Sequence, residues 1–340
     1  MVVRSNKQKI KQFALEKKKL VIAIGGNAIL RNEQRGTFEE QAKNISNTAK
    51  SIVSIILDQD KYKVVAITHG NGPQVGNIAI QQSAADHIIP AQPMHILNSM
   101  TQGQIGYMLQ QAIQNEFKRL GKDMSAVSII TQTIVDKNDP AFTNESTIKP
   151  IGPFYIEEEA KKLMETKNYI IKKVKHVGEK VWRRVVPSPK PIKIVETDAL
   201  KKLVSSGYLV IANGGGGIPV IENSNGDLEG IDAVIDKDLS TGLLAKSIGA
   251  SILMILTDVD KVRINFGKPN EVPISNMSLS DVKKHMDNGQ FLGGSMGPKI
   301  ESAIKFLESG GEAAIITSIE NAIDALNGTA GTRIAKSTAD

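Results

Sequence analysis

Six short apolar runs rich in β-branched residues recur along the chain, and each ends at a small or polar residue. The apolar character of these runs is continuous rather than alternating. This is typical of strands that are buried on both faces, as in a parallel sheet. We therefore predict buried strands over residues 20–24, 64–68, 127–131, 208–212, 252–257 and 313–317.

The segments between these runs have the periodicity of amphipathic helices. Apolar residues from Ala42 to Ile56 are spaced by three and four, which places them on one helix face. Further helices are predicted over residues 100–120, 239–248 and 298–307. This alternation predicts an α/β fold, a three-layer αβα sandwich around a mainly parallel central sheet. Ligands of such sheets bind beyond the carboxyl ends of the strands.

Residues from about 133 to 190 interrupt the alternation. Two proline-rich stretches lie in this region, Lys149-Pro150-Ile151-Gly152-Pro153 and Pro187-Ser188-Pro189-Lys190-Pro191. Proline resists the continuation of a helix or a strand ladder, and long unstructured loops are uncommon in compact domains. We therefore predict an inserted, protruding lid subdomain within a single domain that spans residues 20–340.

Composition and charge exclude several classes of protein. The chain has no cysteine, which excludes disulfides, thiolate nucleophiles and iron–sulfur clusters. Its 42 basic and 36 acidic residues give a net charge of +6. Residues 1–19 contain seven of the basic residues and only one of the acidic residues. The excess charge therefore belongs to a basic N-terminal extension, and the uncharged balance of the body argues against a nucleic-acid partner.

Hydropathy gives no sign of a membrane partner. No window approaches the roughly 18 consecutive apolar residues that a membrane-spanning helix needs. The first 19 residues lack the apolar core of a secretory signal. We therefore expect a cytoplasmic protein.

Three glycine clusters follow predicted strands. Successive backbone N–H groups in such loops can point at an anion, although a pair of glycines after a strand is often only a turn. The second cluster contains Pro73, which suits the first turn of a helix, and a helix start favours phosphate or carboxylate. Its spacing fits a dinucleotide fingerprint poorly, and no P-loop is present. The clusters are Gly25-Gly26-Asn27, His69-Gly70-Asn71-Gly72-Pro73 and Asn213-Gly214-Gly215-Gly216-Gly217.

Three lysines lie close to glycine-rich or proline-rich junctions of this kind. Lys237 is flanked by two aspartates at a predicted helix start, a position where the helix dipole disfavours a cation unless an anion compensates. Lys299 follows a glycine-rich stretch, and Lys149 lies at the base of the predicted lid. Each lysine alone could be an ordinary surface residue. Together they indicate a phosphoryl-transfer site, because that reaction needs cations to stabilise its transition state.

Two further features leave their roles open. Asp258 and Asp260 end a predicted strand, where they could contact a ribose or the water shell of Mg²⁺ or simply cap a turn. His69 adjoins the second glycine cluster and could position it, or it could be a structural histidine.

The ordered set of motifs resembles the carbamate kinases of the amino acid kinase family. The most specific matches are Lys149-Pro150-Ile151-Gly152-Pro153, within a matching stretch that begins at Thr147, and the Trp182-Arg183-Arg184 stretch. The other matching stretches span residues 24–28, 68–76, 101–107, 214–219, 234–238, 256–260, 294–299 and 330–332. The resemblance implies a homodimer and reversible phosphoryl transfer, ADP + carbamoyl phosphate ⇌ ATP + carbamate, which makes ATP in arginine fermentation.

The resemblance also implies roles for individual residues. Relatives that act on amino-acid carboxylates carry lysine where Asn27 stands. In carbamate kinases the positive charge of that lysine is supplied instead by the lid lysine, which is Lys149 in this chain. The implied catalytic residues are Lys149, Lys237, Asp238 and Lys299. The implied substrate-binding residues are Gly25, Gly26, Asn27, Gly70, Asn71, Gly72, Gly215 and Gly216. The implied nucleotide-binding residues are Lys237, Thr257, Asp258, Val259, Asp260, Met296, Gly297 and Lys299, and Mg²⁺ arrives with the nucleotide rather than on direct protein ligands.

Two alternatives remain open at this point. Another member of the family would phosphorylate acetylglutamate, aspartate or UMP, against which Asn27 and Lys149 argue. A non-catalytic module would bind nucleotides or nucleic acid through the basic extension, against which the charge balance of the body argues.

Overall fold

The computed structural model describes residues 17–31, 33–58, 60–143, 148–167, 169–174, 178–291 and 295–337. Residues 1–16 of the predicted basic extension, and Thr147 and Gly294 of the matching motifs, lie outside the described residues, as does the side chain of Asn27. Strand β1 begins at Lys18, so Lys18 and Lys19 of the predicted extension lie in the sheet, where Lys18 pairs with Glu312.

The described strands are short, and six of the seventeen overlap the six continuous apolar runs predicted to be strands. They are β1 (Lys18–Ile24), β2 (Tyr62–His69), β3 (Ala126–Ser128), β4 (Gln132–Val135), β5 (Ile148–Tyr155), β6 (Ile171–Lys173), β7 (Trp182–Pro187), β8 (Pro191–Ile194), β9 (Leu209–Ile211), β10 (Ile218–Glu222), β11 (Leu228–Gly230), β12 (Ile252–Leu256), β13 (Val262–Ile264), β14 (Val272–Ile274), β15 (Asn276–Ser278), β16 (Ala313–Thr317) and β17 (Thr332–Ala335).

The described α-helices lie between these strands. They are α1 (Phe38–Leu57), α2 (Gly72–Ala85), α3 (Met94–Arg119), α4 (Glu157–Lys167), α5 (Thr197–Ser205), α6 (Lys237–Ser247), α7 (Leu279–Asp287), α8 (Met296–Glu308) and α9 (Ala322–Leu326). Among the helices in the part of the chain that the structure covers, none is both long and apolar enough to cross a bilayer.

An eight-stranded central sheet has the order β15-β17-β16-β12-β1-β2-β9-β3. The β16–β17 pair is antiparallel and the other pairs of this sheet are parallel, so the prediction of a mainly parallel sheet is confirmed. Strand β1 lies in the middle of the sheet. The carboxyl ends of β1, β2, β9 and β12 therefore lie next to one another at one edge.

Side chains of β1 alternate between two apolar layers, which confirms the three-layer sandwich. Ile22 packs on one face with α1, α3 and α9. Val21 packs on the other face with α5, α6, α7 and α8. Because successive side chains of a strand point to opposite faces, a strand buried in both layers must be apolar at every position.

Three predicted helices begin earlier than the sequence pattern indicated, and one of them, α6, begins at Lys237 rather than at residue 239. Helix α3 begins at Met94 rather than near residue 100, and the backbone N–H of Met94 donates to Oδ1 of Asp232 at 2.8 Å. Helix α8 begins at Met296, so Pro298 is its third residue and not its first. The contact with Asp232 comes from a distant part of the chain, which local periodicity does not reveal.

A separate three-stranded sheet, β5-β7-β6, packs with α4 and lies within the region predicted to be a lid. We call residues 148–187 the protruding subdomain. Strands β4 and β8, at the two ends of the predicted region, belong to a different four-stranded sheet, β11-β10-β4-β8. The boundaries at about 133 and 190 stay a prediction.

Candidate active site

Three glycine-containing loops meet at the carboxyl ends of β1, β2 and β9. A Cβ atom placed on Gly70 would lie 3.3 Å from the backbone N of Gly26 and 3.4 Å from Cδ of Lys237. A Cβ atom on Gly215 would lie 2.3 Å from the side-chain amide of Asn71. The loops after the three strands therefore adjoin, and the aliphatic part of Lys237 lies over Gly70.

Asp238 joins two of the predicted catalytic lysines. Its Oδ1 lies 2.5 Å from Nζ of Lys237, and its Oδ2 lies 3.0 Å from Nζ of Lys299. Asp238 and Lys299 are only 3% and 5% exposed. A buried ammonium needs a paired anion, so Asp238 holds both lysines in place at the start of α6 and α8.

Lys149 reaches the same place from the protruding subdomain. Its Nζ lies 2.8 Å from Oδ2 of Asp236, the N-cap residue of α6. Burial raises the pKa of Asp236, but the charges of Lys149 and Lys237 and the hydrogen bonds to this carboxylate outweigh burial and lower the pKa below its ordinary value. The structure thus gathers Lys149, Lys237 and Lys299 around two aspartates that are two residues apart.

The third glycine cluster is shaped by a left-handed backbone. Asn213 has φ 58°, and Gly215, Gly216 and Gly217 also have positive φ values. The hydroxyl groups of Thr133 and Ser240 donate to the carbonyl oxygen of Gly216 at 2.9 and 2.8 Å. Positive φ is costly for residues with a Cβ atom, so the run of glycines permits this tight turn.

Two of the predicted substrate-binding glycines use their backbone N–H groups for hydrogen bonds within the loops. The N–H of Gly70 donates to the carbonyl oxygen of Ile24 at 3.1 Å, and the N–H of Gly216 donates to that of Asn213 at 3.0 Å. These two N–H groups are therefore not free donors, and the missing Cβ atoms let Gly70 pack against Gly26 and Lys237 and let Gly216 pack against Ile235. Helix α2 begins at Gly72, and the first N–H groups of a helix lack partners within it, which leaves this helix start able to receive an anion.

Asn71 is held within the body at the start of α2. Its side-chain amide donates to Oδ1 of Asn98 at 3.0 Å and to Oγ1 of Thr101 at 2.9 Å. Gly25 lies on the opposite side of the loops, where a Cβ atom would meet the carbonyl oxygen of Leu256 at 3.4 Å. The backbone of Asn27 forms a short 3₁₀ turn with Gly26.

His69 is buried beneath these loops. Its Nδ1 lies 3.0 Å from the carbonyl oxygen of Gly70. Burial, together with the nearby charge of Lys237, lowers the pKa of His69 to about 4, although the hydrogen bond to Gly70 opposes this shift. The imidazole is therefore neutral at neutral pH, and the carbonyl acceptor assigns its proton to Nδ1.

The predicted nucleotide-binding residues lie in two groups. Thr257 and Asp258 line a cleft of about 490 Å³ together with Gly25. Val259 and Asp260 follow in the same turn, where Oδ1 of Asp260 accepts a hydrogen bond from Asn321 at 2.8 Å. Met296 and Gly297 form the first turn of α8, one turn before Lys299, and do not line that cleft.

Several residues of the site were not among the predicted site residues. Asp236 could have been recognised from its position before Lys237-Asp238 at a helix start, because aspartate is a preferred N-cap. Ser302 donates to the carbonyl oxygen of Asp238 at 2.5 Å, and Asn213 donates to Oγ of Ser240 at 2.5 Å. These two contacts join distant segments and have no local sequence signal.

The described residues contain no group of three or more acidic or histidine side chains arranged to hold a metal ion. The site instead combines three cations with a helix start at the carboxyl edge of a parallel sheet. Such an arrangement can bind phosphoryl groups and stabilise the negative charge that develops during their transfer.

Similarity to known proteins agrees with this arrangement. The sequence profile of the amino acid kinase family matches residues 18–318. A carbamate kinase of Thermococcus kodakarensis is 52% identical over 321 residues, 94% of this chain and 99% of the relative. A carbamate kinase of Giardia intestinalis is 45% identical, with 94% and 98% covered.

A solved structure gives the same result. The carbamate kinase from Giardia lamblia bound to AMP-PNP superposes with a TM-score of 0.88 at 44% identity, covering 96% of this chain and all of that chain. With the family profile matched over most of the chain and relatives matched over nearly their whole length, this chain belongs to the amino acid kinase family, and within it to the carbamate kinases.

Proposed function

We propose that this protein catalyses reversible phosphoryl transfer, ADP + carbamoyl phosphate ⇌ ATP + carbamate. The observation that carries this function is the convergence of Lys149, Lys237 and Lys299 on Asp236 and Asp238. The three lysines come from three separate segments, and one of them comes from the protruding subdomain. The extensive identity to carbamate kinases supports the same reaction.

The chemistry needs positioning and cations more than it needs a base. In ATP formation, an oxygen of the ADP β-phosphate attacks phosphorus while the bond from phosphorus to the carbamate oxygen breaks. Carbamate leaves as an anion, and in the reverse direction that anion is itself the nucleophile. No side chain has to remove a proton, so a neutral His69 is consistent with this reaction.

In this proposal the three lysines stabilise the transferring group. Lys149 and Lys237 bind the phosphoryl oxygens, Lys299 also contacts the nucleotide phosphates, and Asp238 orients Lys237 and Lys299. Gly25, Gly26, Asn27, Asn71 and Gly72 surround carbamate and the phosphoryl oxygens, and Gly70, Gly215 and Gly216 let the loops pack closely beside them.

The nucleotide lies on Thr257, Asp258, Val259 and Asp260 and on Met296 and Gly297 at the start of α8. Mg²⁺ is carried by the nucleotide phosphates, because it keeps several waters and needs few protein ligands. Asp258, at the end of β12, is the carboxylate suited to its water shell. When bound, Mg²⁺ neutralises phosphate charge.

The protein acts as a homodimer in this proposal. Beside edge strand β3, a groove of about 540 Å³ has a mostly polar lining that includes Tyr107 on α3 and Ile130. Tyr107 is 59% exposed and Ile130 is 50% exposed. Apolar side chains beside an open sheet edge fit burial against a second copy, and light scattering on the wild type and Tyr107→Lys tests this assembly.

The test of function is ATP formation from ADP, carbamoyl phosphate and Mg²⁺, followed by hexokinase-coupled fluorescence. Turnover with carbamoyl phosphate, and its loss on chelation of Mg²⁺, supports the proposal. Activity with acetylglutamate, aspartate or UMP instead would favour another family activity. Nucleic-acid binding that disappears on deletion of residues 1–16, without kinase activity, would favour the non-catalytic alternative.

We place the reaction in the cytoplasm, as an ATP-forming step of arginine breakdown.

A further inference from the structure

The carboxylate of Asp236 makes a different contact through each of its oxygens. Oδ1 accepts hydrogen bonds from the backbone N–H groups of Asp238 at 2.9 Å and Leu239 at 3.4 Å. Oδ2 accepts a hydrogen bond from Nζ of Lys149 at 2.8 Å. One carboxylate therefore joins the first turn of α6 to the protruding subdomain.

The ion pair between Lys149 and Asp236 differs in its position from the other ion pairs of the protruding subdomain. Three described ion pairs connect the protruding subdomain to the body, and of these three only one ends at the start of α6. The second ends at Asp86, just past the end of α2, and the third ends at Asp232, on the segment before α6. The three pairs are Lys149–Asp236, Lys167–Asp86 and Arg184–Asp232.

The negative charge of Asp236 has a role beyond capping α6. Lys237 and Lys299 already place two positive charges near the start of α6, and a third ammonium is repelled by them unless an anion lies between. Asp238 uses one oxygen for each of Lys237 and Lys299. The charge of Asp236 is therefore the one that compensates Lys149.

We propose that Asp236 is a positioning residue for phosphoryl transfer, holding Lys149 at the phosphoryl site while it fixes the first turn of α6. The inference rests on the proposed function. An ammonium has three N–H donors, so Lys149 can keep its hydrogen bond to Asp236 and give another to a phosphoryl oxygen. Its side chain is 43% exposed, which leaves it open to a ligand.

The informative variant is Asp236→Asn, because asparagine caps a helix as well as aspartate but carries no charge. We expect kcat for ATP formation to fall about tenfold or more, yet less than the roughly 10²–10³-fold loss typical of a direct charge-stabilising contact. Asp236→Asn should then cost little further activity in the Lys149→Ala background. Such non-additivity is the signature of two residues that act together.

Asp86→Asn is the matched control, since it breaks a second ion pair of the protruding subdomain away from the lysine cluster. Its effect should add to that of Lys149→Ala. Three results would each overturn the proposal. They are an unchanged kcat in Asp236→Asn, tighter substrate binding with faster turnover in the same variant, and additivity of Asp236→Asn with Lys149→Ala. If Asp236→Asn does not fold, Asp236→Ser, which also retains a capping oxygen, is measured in the same cycle.

A second readout does not depend on activity. Acetic anhydride modifies free amines, and an ammonium held by a carboxylate must first leave it. Peptide mass spectrometry should show Lys149 acetylation rising about two- to fivefold in Asp236→Asn, the range of a partly exposed ion pair, and unchanged in Asp86→Asn. If the wild type makes no ATP, the proposed function fails, and the acetylation measurement alone tests whether Asp236 positions Lys149. Equal acetylation of Lys149 in the wild type and Asp236→Asn would overturn that positioning role.

Discussion

Nζ of Lys237 lies 2.5 Å from Oδ1 of Asp238, the residue that follows it in the chain. Neighbouring residues in a helix do not ordinarily face each other. Here the pair forms at the very start of α6, where Asp238 also accepts from the buried Lys299. The pair therefore places an ammonium at a helix start, a position that an ammonium alone would avoid, and makes that position part of a cationic site.

Replacing Lys237 with alanine should lower kcat for ATP formation by about 10²–10³-fold, because one charge-stabilising contact is lost. The Kd for ADP should rise far less. Lys246→Ala is the matched control, as Lys246 is an exposed lysine in the last turn of the same helix. Turnover at the wild-type rate in Lys237→Ala would remove Lys237 from the reaction.

Replacing Lys149 with alanine should abolish most of the activity while ADP binding is largely kept. The reason is that Lys149 reaches the site from the protruding subdomain and not from the nucleotide side. Steady-state kinetics and calorimetric titration with ADP measure the two effects. Lys161→Ala, which removes an exposed lysine from α4 of the same subdomain, is the control. An unchanged rate would mean that Lys149 has only a structural role.

Unfolding free energy should depend on pH through His69. Its pKa is about 4 in the folded chain and 6.5 as the ordinary value, so the unfolded chain binds more protons between these values. Stability is therefore lost as pH falls through this window, by on the order of 3 kcal/mol. Urea unfolding at pH 7 and pH 4.5 should show a smaller loss for His69→Gln than for the wild type. Equal losses would contradict the assignment of a neutral, buried imidazole.

Gly215 should be intolerant of a side chain for a reason beyond its backbone. It has φ 63°, and an added Cβ would lie 2.3 Å from Asn71. Gly207 has φ 91° but no atom within 4 Å of an added Cβ, so Gly207→Ala carries the backbone strain alone. We expect Gly215→Ala to lose about 1–3 kcal/mol more than Gly207→Ala in urea unfolding, the usual cost of overpacking. It should also raise KM for carbamoyl phosphate, whereas Gly207→Ala should not.

The layers of the fold were predictable because burial on both faces leaves a clear pattern. Strand β1 is apolar throughout from Leu20 to Ile24, and α1 shows one apolar stripe. The early start of α3 was not predictable, since Asp232 supplies the partner of Met94 from a remote segment. Charge count places Lys18 and Lys19 in the extension because it does not distinguish a solvated tail from a strand end.

The site was predictable as a set of residue types but not as a set of contacts. Glycine clusters and lysines at strand–helix junctions indicated an anion site. The pairing of Lys149 with Asp236, 87 positions away, is a tertiary contact. Likewise, the use of the Gly70 and Gly216 N–H groups within the loops depends on how those loops fold together.

The central claim is that the three lysines form a site for phosphoryl transfer from carbamoyl phosphate to ADP. The most direct measurement is the coupled assay for ATP made from ADP, carbamoyl phosphate and Mg²⁺, with the wild type and Lys237→Ala side by side. We predict steady ATP formation by the wild type and its near-complete loss in Lys237→Ala. No ATP from carbamoyl phosphate, together with ATP-dependent phosphorylation of acetylglutamate by the wild type, would contradict the claim.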